Sequence, residues 1–167
     1  MPTLLLGRFR VRHVCPRAGL TWDVDVPNGV TVEGRDYLLG AGFKGAPQST
    51  GWRLLLVSDA GFAGVAEADT HALHPGWTEF LGVSGGSRPA WPSGSPAGGV
   101  LDTLGTATVT LSAAGVVRGV GLANQPAVGS VAAGSVLYST AVAAAGLSVS
   151  SGGVLYVTYT IRGTPVG

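Results

Sequence analysis

The sequence predicts a mainly β fold: a single antiparallel β-sandwich or jelly-roll-like domain with one short helix and a long loop rich in Trp, Pro and Gly. In the segment 153–162 (GVLYVTYTIR), Leu155, Val157, Tyr159 and Ile161 fall on one face. This period of two is typical of a strand that buries one side. Similar short segments recur between turn residues, as in antiparallel sandwiches. The chain also has 28 glycines and only 11% charged residues, which suits tight turns and extensive packing.

The composition limits the partners that we expect. At 167 residues the chain is long enough for one domain with a core, and a net charge of +1 gives no field that would attract nucleic acid. The single Cys15 cannot form an intrachain disulfide. No apolar run reaches the roughly 18 residues of a membrane span, and the N-terminus lacks the basic residues of a secretion signal. We therefore expect no nucleic acid and no membrane as partner, and a protein used in a cytoplasm or carried in a particle assembled there. Its few charges favour association with other subunits.

Residues 4–14 alternate as a strand, with Arg8, Arg10 and Arg12 on one side and mainly apolar residues on the other. Two interpretations of the arginines are open. They form a basic stripe that contacts an acidic partner, or they keep an edge strand from aggregating. A second alternating segment, 20–26, follows a turn, so the two strands predict a hairpin.

Residues 1–26 are predicted to form a strand or arm region that packs on, or extends from, a β-sandwich domain of residues 27–167. An apolar arm can add a strand to a neighbouring subunit, because strand addition supplies main-chain hydrogen bonds. The candidate interface residues of this arm are Leu4, Leu5, Leu6 and Phe9.

Residues 30–39 are the best helix candidate. Asn28 or Thr31 can cap its N-terminus, and Glu33 lies in the first turn, where the helix dipole favours an anion. Gly34 opposes a helix by about 1 kcal/mol relative to Ala, and later glycines are expected to end it.

The middle of the chain is irregular apart from the apolar run 52–57, which predicts a central strand covered on both faces. Residues 67–73 predict a helical turn that Pro75 ends. Residues 84–99 predict a long loop around Trp91, and ordered loops of this length are often functional or contact surfaces. Further strands are expected at 100–111, 116–122 and 135–143, with turns at 113–115, 124–126 and 144–146.

Residue clusters that would carry chemistry are weak. His71 and His74 form an H-x-x-H pair near Glu67 and Asp69, but Pro75 disturbs the helix that would align metal ligands, so we predict no metal site. No nucleophile-elbow or phosphate-loop motif occurs, and the nine carboxylates do not single out a catalytic pair. We predict a protein that is not an enzyme and needs no cofactor.

Aromatic loop residues also have two interpretations. Trp77 and Trp91 would stack on sugars in a lectin, or would fill the core, since large aromatics dominate core burial. Arg88 and Trp91 are candidate interface residues, because Arg and Trp are frequent at binding hot spots. Alternatively, Arg88 pairs with Glu79, and Trp91 closes one end of the barrel.

A set of short segments, taken in order and spacing, carries a resemblance to a known family. The segments are 27–31 (PNGVT), 37–39 (YLL), Phe43, 52–57 (WRLLLV), 60–62 (AGF), 68–70 (ADT), 74–80 (HPGWTEF), 88–91 (RPAW), 119–123 (GVGLA), 137–139 (LYS) and 157–161 (VTYTI). Together they cover most of the chain from about residue 27 onwards, and the tryptophan-containing middle is the most specific part. In these segments the chain resembles small structural proteins encoded by tailed bacteriophages.

The resemblance implies a virion component, most specifically a head decoration or cement protein on the outer capsid surface, assembled in the host cytoplasm. Its partners would be the major capsid protein and copies of itself, as a dimer or trimer. The resemblance supplies no catalytic residue. Two other classes stay open: a head- or tail-fibre-associated attachment module that binds a host glycan or surface protein, and a cell-wall hydrolase.

Overall fold

The computed structural model describes the backbone of residues 3–165 and the side chains of residues 5–163. Within this range the protein is mainly β. The elements are β1 (Thr3–Cys15), β2 (Gly19–Gly29), α1 (Val32–Phe43), β3 (Arg53–Ser58), a short 3₁₀ turn (Ser84–Gly86), β4 (Val100–Asp102), β5 (Ala107–Thr110), β6 (Gly115–Ala123), β7 (Leu137–Val149) and β8 (Val154–Pro165). No helix in the described range is long and apolar enough to span a membrane.

Two antiparallel sheets make up the fold. The larger sheet has the strand order β2-β1-β8-β4, with β5 pairing a different part of β8, and the smaller sheet has the order β3-β6-β7. The main cluster of buried apolar side chains draws on both sheets. The prediction of a mainly β, antiparallel, sandwich-like domain is confirmed, whereas jelly-roll connectivity stays a prediction.

The alternation of residues decides which side of the larger sheet faces the core. In β8, Leu155, Val157 and Tyr159 are completely buried, as the period of two predicts. In β1, Phe9 and His13 are buried on the same side. The arginines that alternate with these residues in β1 therefore lie on the outer face of the sheet.

β1 is an inner strand of its sheet. It pairs with β8 from Thr3 to Val14, and with β2 from Leu6 to Cys15. The predicted hairpin of β1 and β2 is confirmed. The interpretation of the arginines as edge protection is wrong, because both edges of β1 are occupied over residues 6–14.

Three predicted elements differ in the structure. The expected strand 100–111 is divided into β4 and β5 by a turn at Gly105, whose φ of 74° favours glycine. The turn expected at 144–146 lies inside β7, and a shift of register against β6 occurs there instead. Residues 67–73 contain turns and bends but no helix.

β3 is covered on both faces, as predicted, since residues 54–57 are all buried. It lies at the end of the smaller sheet and not in its centre. The irregular middle of the chain covers its other edge. The Leu54 N–H donates to the Pro89 carbonyl at 2.9 Å, and the Phe80 N–H donates to the Leu56 carbonyl at 2.8 Å. Two short segments of this irregular region, around Phe80 and Pro89, thus take the place of a neighbouring strand.

The helix α1 is capped as predicted but is longer. The Thr31 hydroxyl accepts a hydrogen bond from the Gly34 N–H at 3.0 Å, and the helix continues to Phe43. Gly34 faces β7: a Cβ at this position would lie 2.4 Å from the Tyr138 carbonyl oxygen. The helix therefore approaches the sheet this closely only because residue 34 has no side chain.

Candidate functional site

Two of the predicted interface residues are core residues. Phe9 is 0% exposed, and its ring stacks on that of Tyr159 with 3.8 Å between the ring centroids. Trp91 is 6% exposed, and its indole N–H donates to the Thr103 hydroxyl at 2.7 Å. The structure contradicts the prediction that these two side chains contact a protein partner, because neither offers an accessible surface to it.

Arg88 is also buried, and it pairs with Glu79, which was the alternative that the sequence left open. Its Nε and Nη2 donate to the two carboxylate oxygens of Glu79, both at 2.7 Å. Arg88 donates further to the carbonyls of Gln125 and Ser130, and Glu79 accepts from the Gly129 N–H at 2.7 Å. The interface role of Arg88 is therefore contradicted. The pair instead ties three separate loop segments together, and removal of one partner would leave a buried charge.

The predicted N-terminal arm is part of the larger sheet. The Leu4 side chain lies outside the described residues, Leu5 is half-buried against the core, and Leu6 is exposed. Residues 3–5 pair with β8 on one side, whereas β2 begins to pair with β1 only at Leu6. Leu6 is accessible to a partner, but its backbone does not extend away from the domain.

The arginines on the outer face are largely neutralised within the chain. Arg8 pairs with Asp25 at 2.5 Å, and Arg10 pairs with Asp23 at 2.8 Å, across the β1–β2 ladder. Both pairs are exposed, so each contributes little to stability. They nevertheless reduce the positive charge that a basic stripe would need to attract an acidic partner.

The two histidines of the H-x-x-H pair line a cavity of about 240 Å³, together with Trp77, Glu79 and Arg88. His71 is 2% exposed, and neither ring nitrogen has a hydrogen-bond partner among the described residues. Burial, followed by the positive charge of Arg88, lowers the pKa of His71 from 6.5 to about 4. His71 is therefore neutral at physiological pH.

The other polar groups of this cavity are engaged in packing. The His74 ring stacks on Trp77 with 3.8 Å between the centroids, and its Nδ1 lies 2.9 Å from the Trp77 carbonyl oxygen. Glu79 uses both oxygens for the bonds described above. In the described part of the chain, no three His, Cys, Asp or Glu side chains are grouped so that they could hold a metal ion. The contacts of His74 and Glu79 at this cavity hold loop segments together.

An exposed apolar surface lies on α1. Val32, Leu39 and Phe43 are 41%, 57% and 84% exposed, and at 100° per residue they fall within about 40° of one another around the helix. We call these three residues the α1 apolar surface. Grouped apolar side chains on a soluble protein mark interaction sites more often than scattered ones do. This surface is the best candidate for a protein interface in the structure.

Sequence reasoning placed the helix but not its orientation. An apolar stripe on a helix usually faces the core, yet here the opposite side faces inwards. Gly34 contacts β7, and Leu38 packs against the core cluster. The signal for this reversal was Gly34 itself, because a glycine inside a helix that is retained despite its low propensity often marks a close backbone approach.

Comparison with known protein families, curated proteins and solved structures finds no match to this chain. The resemblance to phage structural proteins therefore stays a prediction.

Proposed function

We propose that this protein is a virion structural protein of a tailed phage, a decoration or cement protein that binds the outer capsid surface and stabilises the shell. It acts by binding and not by catalysis. Its partners are the major capsid protein and copies of itself. The observation that carries the proposal is the α1 apolar surface on a folded domain with only 11% charged residues. The sequence resemblance supplies the class of partner.

The stabilisation follows from burial of this surface. Removing a large apolar side chain such as Phe43 from water contributes about 1.5–3 kcal/mol. A protein that binds the assembled shell and not its separated subunits shifts the equilibrium towards the closed shell by mass action. The same weak contact, repeated over a capsid lattice, adds to a large total.

The structure gives less support to the other two classes. The attachment module that the sequence suggested needs Trp77 and Trp91 together on one outward surface, but they are 3% and 6% exposed and line two different cavities. For a hydrolase, Glu79 is the carboxylate that lines the histidine cavity, and it is held by Arg88. The decoration proposal requires neither the tryptophans nor a free carboxylate.

The proposal is tested by binding of the purified protein to phage heads that lack it, followed by sedimentation. Leu39→Ser alters the α1 apolar surface, and Leu104→Ser is the matched control, because Leu104 is 71% exposed in the turn between β4 and β5. We expect Leu39→Ser to weaken binding by about tenfold, the equivalent of about 1.4 kcal/mol, while Leu104→Ser binds as the parent does.

Two results would count against the proposal in different ways. If the parent protein does not sediment with the heads, the decoration function is wrong. If the parent binds and both variants bind equally well, the function survives but the α1 apolar surface is not the interface.

A further inference from the structure

A second cavity, of about 210 Å³, lies between α1 and the ends of both sheets. Its walls are aromatic, and its base is formed by apolar residues that include Leu122 of β6 and Ile161 of β8. We call it the aromatic cavity. The aromatic side chains that line it are Tyr37, Trp52, Trp91 and Tyr138.

The rings of the aromatic cavity are not parallel. Tyr37 and Trp52 meet at 86° with 5.2 Å between centroids, and Trp52 and Tyr138 meet at 62° with 5.4 Å between centroids. A narrow slot for a flat aromatic ligand needs two parallel walls. These rings are not parallel, so the space that they enclose is of similar width in all directions. The volume is below the roughly 300 Å³ at which pockets for drug-sized ligands begin, which limits the ligand to about one ring.

Tyr138 brings a hydroxyl with no hydrogen-bond partner to this cavity. The residue is 4% exposed, and its hydroxyl bonds to none of the described residues, whereas the buried hydroxyl of Tyr159 donates to Ser139 at 3.1 Å. Burial raises the pKa of Tyr138, so the phenol stays neutral. This hydroxyl is not one of the fully buried side-chain atoms that lack a partner, so it reaches the open space of the cavity, where a ligand can bond to it in place of water.

Trp52 brings a second polar group. Three of the four tryptophans donate their indole N–H to an acceptor within the chain. Trp52 is the exception among the described residues, and it lines the aromatic cavity. Tyr138 thus supplies a hydroxyl, which can donate and accept, and Trp52 supplies an N–H, which can only donate.

The described lining of the aromatic cavity includes no charged side chain. A charged ligand would lose its hydration there without gaining a counter-charge, which is strongly unfavourable. The remaining hydroxyls of the lining belong to Tyr37, which accepts from the Ser49 N–H, and to Ser49, Thr50 and Ser93. All the polar groups of this site therefore suit a neutral ligand that has several hydroxyl groups.

We propose that the aromatic cavity binds one ring of a neutral saccharide. The C–H groups on a sugar face carry a slight positive charge and are attracted to the negative faces of aromatic rings. The sugar hydroxyls would bond to Tyr138 and Trp52, which a purely apolar ligand would leave unpaired. The sugar is either free or the terminal unit of a glycan. This inference does not depend on the decoration function, and the failure of either leaves the other standing.

The inference is tested by titrating the full chain with the methyl glycosides of glucose, galactose, mannose and N-acetylglucosamine. Binding is followed by tryptophan fluorescence and by the NMR signals of the indole N–H groups. We expect saturable binding of at least one glycoside, with the largest shift at the Trp52 indole. If no glycoside saturates a signal, the inference is wrong.

Two tyrosine variants locate the binding. Tyr138→Phe removes the unpaired hydroxyl, and loss of one hydrogen bond is expected to weaken binding roughly three- to tenfold. Because this hydroxyl bonds to none of the described residues, the variant is expected to unfold close to the parent's temperature. Tyr159→Phe is the matched control: it removes another tyrosine hydroxyl, one that is bonded to Ser139, and its affinity for the glycoside should be unchanged.

Other outcomes are also decisive. Equal binding by Tyr138→Phe and the parent would place the sugar elsewhere and overturn the inference. A proline-rich peptide that binds this cavity in place of every glycoside would also overturn it, since aromatic grooves of this kind can accept such peptides.

Discussion

Lowering the pH is expected to destabilise this protein through His71. The ring is buried, and neither nitrogen has a partner among the described residues, so the folded chain favours its neutral form. Protonation would place a charge in a cavity that also holds Arg88. The unfolded chain has no such restriction, and its His71 is protonated at the ordinary pKa of 6.5.

The magnitude follows from the difference between the two pKa values. Folding lowers the pKa of His71 from 6.5 to about 4, and one pH unit corresponds to about 1.4 kcal/mol. The unfolded chain therefore binds the proton first as the pH falls. The contribution of His71 to the free energy of unfolding is fully present above pH 6.5 and decreases by roughly 3 kcal/mol between pH 6.5 and 4.

A comparison with His71→Leu isolates this contribution. Urea unfolding of both proteins is followed by tryptophan fluorescence at several pH values between 7 and 4. The variant is expected to be at least as stable as the parent at pH 7, because an apolar side chain replaces two unpaired nitrogens. Its stability should then decrease less with acid, by the roughly 3 kcal/mol assigned to His71.

The contributions of the other titratable groups are removed when the stability of the variant is subtracted from that of the parent. Burial also lowers the pKa of His13, which acts in the same direction, but His13 is present in both and cancels. Parallel stability curves for parent and variant would refute the reasoning. So would a His71 ring that titrates near pH 6.5 in the folded protein, as observed by NMR.

Two further changes test the helix contact and the buried ion pair by urea unfolding. Gly34→Ala places a Cβ 2.4 Å from a backbone oxygen of β7, and we expect a loss of about 1–3 kcal/mol. At Gly42, also in α1, an added Cβ would meet no atom beyond its chain neighbours and the nearby helix backbone within 4 Å. Gly42→Ala should therefore stabilise by up to about 1 kcal/mol, and equal effects of the two variants would contradict the close contact at Gly34. Glu79→Gln leaves the Arg88 charge buried and is expected to cost about 3–5 kcal/mol. The control Glu67→Gln, at an exposed ion pair, should change stability by less than about 1 kcal/mol. A similar loss in both variants would show that burial does not increase the cost of breaking the Arg88–Glu79 pair.

Strand identity could be predicted from the sequence because it depends on local alternation. The buried positions Phe9, Leu155 and Tyr159 all follow from the period of two in their own segments. Whether β1 is an inner or an edge strand depends instead on β8, about 140 positions away, and no pattern within residues 4–14 contains that information. Local sequence therefore predicts which face of a strand is buried, but not which strands pair with it.

The interface residues were harder to predict for the same reason. Arg88 and Trp91 are residue types that favour binding hot spots, but they are equally suited to a buried pair and a core ring. The choice between these roles depends on Glu79 and Thr103, which the fold brings to them. The outward side of α1 likewise depends on how closely Gly34 approaches β7.

The pairing of β1 with β8 has a consequence for the folding kinetics. Val14 and Val154 are neighbours in the larger sheet, so this ladder forms only after a loop of about 140 residues has closed, and such long-range pairing slows folding. Until then the β1–β2 hairpin has no second neighbour, and Phe9 lacks the Tyr159 ring on which it stacks. The larger sheet is thus expected to assemble late and in one cooperative step.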